Sequence, residues 1–203
     1  MTTRAGASAT VVTLGTDAVW LVRHAATDWT GRRWCGRSDP ELSDTGRSQS
    51  RRLAVALAAE LGEGAPGRPV VLSSPLRRAT QTADEIARAL GATVRIEASL
   101  VEVDFGVADG LTWHEVTRRE PALAAALIAT GDPDWPGGET AAAVIQRASL
   151  AARRISAIVE EGPLVVVSHG GLLRALGTLV EGGGQLGSLA PGAVERTRWR
   201  RST

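Results

Sequence analysis

Lysine is absent from this chain of 203 residues; all 23 basic side chains are arginine. That excludes a Walker-type phosphate loop, a Schiff-base lysine and a lysine general base. Arginine stays charged and presents a planar fork of donors, so it is the cation left to recognise phosphate or carboxylate. With the abundance of alanine, the missing lysine is also what codon bias in a GC-rich genome produces. Cysteine occurs once, at Cys35, which excludes an internal disulfide and a cysteine-based metal cluster. Nowhere do about 18 apolar residues run together, and the opening MTTRAGASATVVTLGTD has no apolar core of signal-peptide length. The net charge is only +1 and the basic residues are scattered, so neither nucleic acid nor a membrane is an expected partner. These absences predict a soluble cytoplasmic protein.

What is present is a core. At 43% hydrophobic and with no internal repeat, residues 1–203 read as one domain, with 1–16 a loose N-terminal arm rich in Gly, Ala, Ser and Thr. Short apolar runs alternate with longer Ala/Leu/Arg segments of helical period, the pattern of an α/β layered fold. Strands are predicted at Ala18–Val22, Val70–Leu72, Thr93–Ile96, Leu164–Val167 and Val194–Trp199. The first, second and fourth are nearly all apolar, as central strands covered on both faces are. Helices are predicted over Thr45–Leu61, N-capped by Ser43, and from Ser74-Pro75 to Gly91, with serine as N-cap and proline in the first turn. Three more are predicted: Trp113–Thr130 with a break near Pro121, Thr140–Glu160 after the Pro136-Gly137-Gly138 turn, and a short one after His169-Gly170-Gly171.

Three of these strands end in chemistry. Val19–Val22 runs into Arg23-His24, Val70–Leu72 into Ser73-Ser74-Pro75 with Arg77 and Arg78 following, and Leu164–Val167 into Ser168-His169-Gly170. In open α/β sheets, ligand sites form outside the carboxyl ends of strands. A histidine past a strand is equally an ordinary boundary residue, and periodicity does not choose between Arg77 and Arg78. Both sit in a first helical turn, where the macrodipole disfavours cations; an anion bound there would compensate them, and so would solvent. His114, inside a helix, reads as structural or exposed.

Arg23-His24-Ala25-Ala26-Thr27-Asp28-Trp29 resembles the R-H-G-E-T-x-W signature of the histidine phosphatase (phosphoglycerate mutase-like) superfamily. Gly36–Gly46 is similar to G-x-x-D-x-x-L-S-x-x-G, Ser73–Ala83 to S-S-x-L-x-R-A-x-Q-T-A, and Leu100–Thr112 to L-x-E-x-D-F-G-x-W-E-G-L-T. Pro136–Thr140 resembles P-G-G-E-S, and VVVSHGGLLRAL the closing S-H-G-G motif, so six motifs stand in family order from about Val19 to Leu176. The resemblance implies a three-layer α/β/α sandwich with a mostly parallel central sheet, and a phosphatase that needs neither metal nor cofactor. It implies His24 as the nucleophile forming a phosphohistidine, with Arg23, Arg78 and His169 around the phosphoryl oxygens and Glu102 as the acid and base. Thr27, Thr30, Cys35, Gly36, Arg37 and Gly170 are the further candidates for holding phosphate or substrate. Glu139 reads as architectural, Arg77 as helper or bystander, and Arg37 either as an exposed loop residue or as the reader of a second anionic group.

The chain departs from the family pattern in places. Ala25 and Ala26 replace glycine and an acidic residue, Thr30 replaces an asparagine common in mutases, and Ala108-Asp109 stands where Trp-Glu is common, implying a more open substrate mouth. Only 34 residues separate Glu102 from Gly137, shorter than the insertion of cofactor-dependent mutases. The expected substrate is therefore a small phosphorylated metabolite undergoing hydrolysis. Phosphoglycerate-mutase-type transfer and a non-catalytic phospholigand-binding protein are the alternatives. A homodimer is compatible with all of them.

Overall fold

The computed structural model describes residues 18–61, 67–131, 133–179 and 189–199; the predicted arm, 1–16, lies outside the described residues. Strands β1 (Ala18–Arg23), β2 (Val70–Ser73), β3 (Thr93–Ile96), β4 (Leu164–Ser168) and β5 (Val194–Arg198) form one sheet in the order β3-β2-β4-β1-β5. All neighbours are parallel except β5, which runs antiparallel to β1 at the edge.

Successive strand residues face opposite sides and build two cores. Trp20, Val22, Val71, Val165 and Val167 pack with α1 (Asp44–Leu61) and α2 (Arg77–Leu90). On the other face, Val19, Leu21, Leu72, Leu164 and Val166 pack with α5 (Ala141–Ile158) and α6 (Gly170–Gly177). The short helices α3 (Trp113–Arg119) and α4 (Pro121–Thr130) complete that layer through Val116, Leu123 and Ala124. This is the α/β/α sandwich expected. The two central strands bury every residue between Val19 and Val22 and between Leu164 and Ser168, which is why both read as unbroken apolar runs. No helix among the described residues is long and apolar enough to cross a membrane.

Local signals behave as physics predicts in most places. Ser43 Oγ accepts from the Gly46 N–H and caps α1, and Thr112 and Glu115 form a reciprocal capping box at α3. Pro121 separates α3 from α4, as expected of a residue with no N–H to give. The start of α2 differs from expectation. It begins at Arg77 behind Leu76, not at Ser74-Pro75; the Ser74 hydroxyl accepts from the Leu76 N–H at 3.3 Å and lies 2.7 Å from His169 Nε2. The anion imagined at this helix start is supplied by the chain itself, Asp39 accepting from the Arg77 N–H at 2.6 Å.

Gly46 shows why one motif glycine is needed. A Cβ there would lie 1.9 Å from the Ala26 carbonyl oxygen, so α1 crosses the segment after His24 at backbone contact. The same segment is pinned by Ser43 N–H donating to Ala26 O at 3.0 Å and by Gln49 Oε1 accepting from Ala26 N at 3.0 Å. Gly46→Ala is expected to destabilise by about 3 kcal/mol or more, seen as a drop in Tm of about 6–12 °C in a thermal melt.

Candidate active site

The carboxyl ends of three parallel strands meet at one place. The register sets Arg23 beside Ser168 and Ser73 beside Val167, and each following residue is tied across: His24 N–H donates to Ser168 O at 2.9 Å, Ser74 N–H to Val167 O at 3.0 Å. His24 and His169, 145 positions apart in the chain (169 − 24), thereby stand with ring centroids 5.0 Å apart.

The His24 ring is only 7% exposed. Its Nδ1 lies 2.8 Å from the Ala25 carbonyl, which can only accept, so Nδ1 carries the proton and Nε2 the lone pair. Arg78 Nε donates to that Nε2 at a loose 3.3 Å. Arg78 itself has no solvent exposure, and its guanidinium also donates to the carbonyls of Ser38 at 2.7 Å, Gly36 at 2.9 Å and Cys35 at 3.2 Å. Arg77, by contrast, is exposed and paired with Glu41. The tertiary structure thus separates two arginines that periodicity left equivalent.

A cavity of about 210 Å³ opens in front of His24. Arg23, Thr27, Thr30, Cys35, Glu102 and Gly170 line it with His24. The Arg23 guanidinium donates through Nη1 to Leu189 O at 2.9 Å, but its Nε is buried without a partner, and so is His169 Nδ1. Glu102 is 6% exposed, with its oxygens accepting from the backbone N–H groups of Val103 (2.9 Å), Leu172 (3.1 Å) and Gly171 (3.2 Å). The start of α6 therefore orients this carboxylate, and a Cβ at Gly171 would lie 2.6 Å from Glu102 Oε1 and displace it. Among the described residues no three His, Cys, Asp or Glu side chains gather as a metal ion would need.

Arg37 does not line the cavity. It pairs with Glu139 at 3.4 Å and Asp104 at 3.9 Å. Gly36 is a backbone element of the site, giving its carbonyl to Arg78 and its N–H to Asp109. Ala108 is buried, Asp109 accepts through both oxygens from the Gly36 and Ser38 N–H groups, and neither residue lines the cavity. Thr30 Oγ1 accepts from Thr27 N–H, closing the turn after the first motif.

From residue 19 to residue 195 the sequence matches the model of the histidine phosphatase superfamily, branch 1. The chain belongs to this superfamily. It is 36% identical over 167 residues to the glucosyl-3-phosphoglycerate phosphatase of Mycobacterium tuberculosis, covering 77% of this chain and 71% of that protein. To the bifunctional protein Rv2228c of the same species it is 38% identical over 150 residues, 73% of this chain but 40% of the relative; the chain thus spans less than half the length of that relative. The mycobacterial glucosyl-3-phosphoglycerate phosphatase solved with VO3 aligns at a TM-score of 0.71 and 28% identity, over 89% of this chain and 90% of that one. Phosphoglycerate mutase from Thermus thermophilus aligns at 0.66 and 30% identity, over 91% of this chain and 94% of that one.

Several residues of this superfamily site escaped sequence reasoning. Arg33 and Arg174 line the same cavity. Ser74 holds His169. Arg147 donates to both oxygens of Glu139 and to the carbonyls of Ser99, Val101 and Glu102, staking down the segment that carries Glu102. Burial pushes the Glu139 carboxyl up, but Arg147 and the Asp104 N–H hold it below its usual value. Arg147 lies mid-helix in an Ala/Leu/Arg pattern, and only its depth in the fold distinguishes it from surface arginines.

Electrostatics make the site acid-sensitive. Burial, then Arg78, then Arg23 press His24 from 6.5 down to about 3, against the opposing Ala25 carbonyl. His169 is held well below its usual value, first by burial, then by His24 and by Arg78, Arg23 and Arg147. Burial raises the Cys35 thiol to about 11, so it stays protonated in this setting. Below pH 6.5 the unfolded chain takes up protons on these histidines that the folded chain refuses. Stability should therefore be level, as far as these groups are concerned, above pH 6.5 and fall as pH drops from 6.5 toward about 3. The slope is up to about 1.4 kcal/mol per pH unit for each buried histidine. Urea unfolding at a series of pH values checks this; a flat curve from pH 7 to 4 would contradict it.

Proposed function

We propose that the chain hydrolyses phosphomonoesters through a phosphohistidine on His24. The observation carrying this reading is the pair of buried nitrogens without partners, Arg23 Nε and His169 Nδ1, set around a histidine whose ring is held neutral and whose Nε2 is the lone-pair nitrogen. A phosphoryl group at Nε2 would bring acceptor oxygens to those nitrogens and to Arg78.

In the first step Nε2 attacks phosphorus, the P–O ester bond breaks, and Glu102 gives its proton to the departing oxygen. In the second, Glu102 takes a proton from water, the hydroxide attacks phosphorus, and the P–N bond breaks to release phosphate and restore His24. Nδ1–H, held by Ala25 O, keeps the ring in the correct tautomer while positive charge develops on it. His24, Arg23, Arg78, His169 and Glu102 supply each charge and proton in this sequence. A substrate the size of a small phosphorylated metabolite fits a cavity of about 210 Å³. The likeness to a glucosyl-3-phosphoglycerate phosphatase favours hydrolysis over transfer and nominates sugar–phosphoglycerate esters for testing.

The test is release of inorganic phosphate from p-nitrophenyl phosphate and from a panel of sugar, glycerate and nucleoside phosphates. Turnover on any of them supports hydrolysis. No release from the whole panel sinks it, and interconversion of phosphoglycerates faster than phosphate release would make the protein a mutase.

A further inference from the structure

We propose that Asp109 is a positioning residue of this site, acting on His24 through Arg78. The inference rests on the hydrolytic reading above for its kinetic part and on geometry for the rest. Asp109 touches neither His24 nor the cavity. Its Oδ1 accepts from Gly36 N–H at 3.0 Å and its Oδ2 from Ser38 N–H at 2.7 Å. The other side of the same turn serves Arg78, which takes the carbonyls of Cys35, Gly36 and Ser38.

One peptide unit joins the two charges directly. The carbonyl of Cys35 and the N–H of Gly36 belong to the same amide, so the order runs carboxylate, N–H, C=O, guanidinium. Hydrogen bonds in series polarise one another, and a charge at each end of an amide aligns its dipole with both. The turn has little freedom to settle differently. A Cβ on Gly36 would lie 2.7 Å from Val103 O and 3.0 Å from Phe105 N, so the turn is braced from behind. Beside it, Trp34 N–H donates to Leu111 O at 2.9 Å and Gly110 N–H to Trp34 O at 2.9 Å. The Asp109 carboxylate continues that short ladder with side-chain oxygens where a strand would offer carbonyls. Remove it, and two N–H donors lose their acceptor while the three carbonyls that hold Arg78 lose their anchor.

Two variants separate this role from general stability: Asp109→Ala, and the isosteric Asp109→Asn, which keeps one acceptor but sets an amide NH2 against a backbone N–H. Asp109→Ala is expected to lower kcat/KM on the order of tenfold to a hundredfold, the usual cost of removing a support behind a contacting group, with Asn between it and wild type. In an Arg78→Gln background the same change should cost less than about threefold, because the two residues act as a unit. In a ¹⁵N–¹H spectrum of the free protein, the Arg78 Nε–H signal should shift or broaden in both variants. Full additivity of Asp109→Ala with Arg78→Gln, a loss under twofold, or an unmoved Arg78 signal would each overturn the proposal. If the wild type turns over no phosphoester, the hydrolytic reading fails, and the Arg78 signal still decides whether Asp109 holds it.

Discussion

His24→Ala should abolish phosphomonoester turnover, lowering kcat by about four orders of magnitude or more. The reason is specific to this ring. Its Nε2 is the lone-pair nitrogen, held ready by Nδ1–H donating to Ala25 O, and the Cys35 thiol that also lines the cavity is kept protonated by burial. Rapid acid-free quench with labelled substrate should trap a phosphorylated wild type and an unlabelled variant. Stability offers an independent signature, a shallower loss on acidification. The wild type folds with a histidine held near 3, and the variant removes that group, so His24→Ala should lose less stability than wild type between pH 6.5 and 4. Retained turnover above about a hundredth of wild type would remove His24 from the nucleophile's role.

Arg78→Ala is expected to cost both activity and fold. Each donor aimed at developing phosphoryl charge is worth about a hundredfold to a thousandfold in kcat. The guanidinium also satisfies three backbone carbonyls, and each acceptor left without a donor costs about 1–3 kcal/mol. Arg78→Lys keeps the charge but not the fork, and one ammonium cannot reach His24 and three carbonyls arranged around a planar group. It should therefore recover only a minor part of the loss. Because Arg78 is the second cause of His24's low value after burial, Arg78→Ala should also move the His24 titration upward, read by NMR of the ring. A lysine variant with wild-type kcat/KM would show that charge alone suffices.

The apolar runs Val19–Val22, Val70–Leu72 and Leu164–Val167 were legible because strands buried on both faces leave no room for polar residues. Their outlets at Arg23-His24 and Ser168-His169 were legible for the same reason, since polarity begins where the sheet stops. Periodicity carried no further at Arg77 and Arg78. Adjacent residues on a helix point about 100° apart, and only packing of α2 on the sheet decides which one turns inward. Arg37 stayed open in the sequence because a loop arginine beside a motif looks the same whether it faces substrate or Glu139. The roles of Arg147 and Asp109 were not legible because Asp109 bonds backbone N–H groups, which any sequence supplies, and Arg147 bonds backbone carbonyls and the Glu139 carboxylate that only the fold brings to it.

By itself, then, the sequence determined the layered architecture, the strand ends where the candidate site residues stand, and the superfamily, because each is written in local hydrophobic pattern or in motif order. Tertiary structure decided which arginine meets His24, that Ser74 serves His169 instead of capping a helix, and that Asp109 braces Arg78 from outside the cavity. Those decisions depend on hydrogen bonds at 2.6–3.3 Å between residues far apart in the chain. Hydrophobic pattern reports which face of an element is buried, but it does not specify partners at that distance.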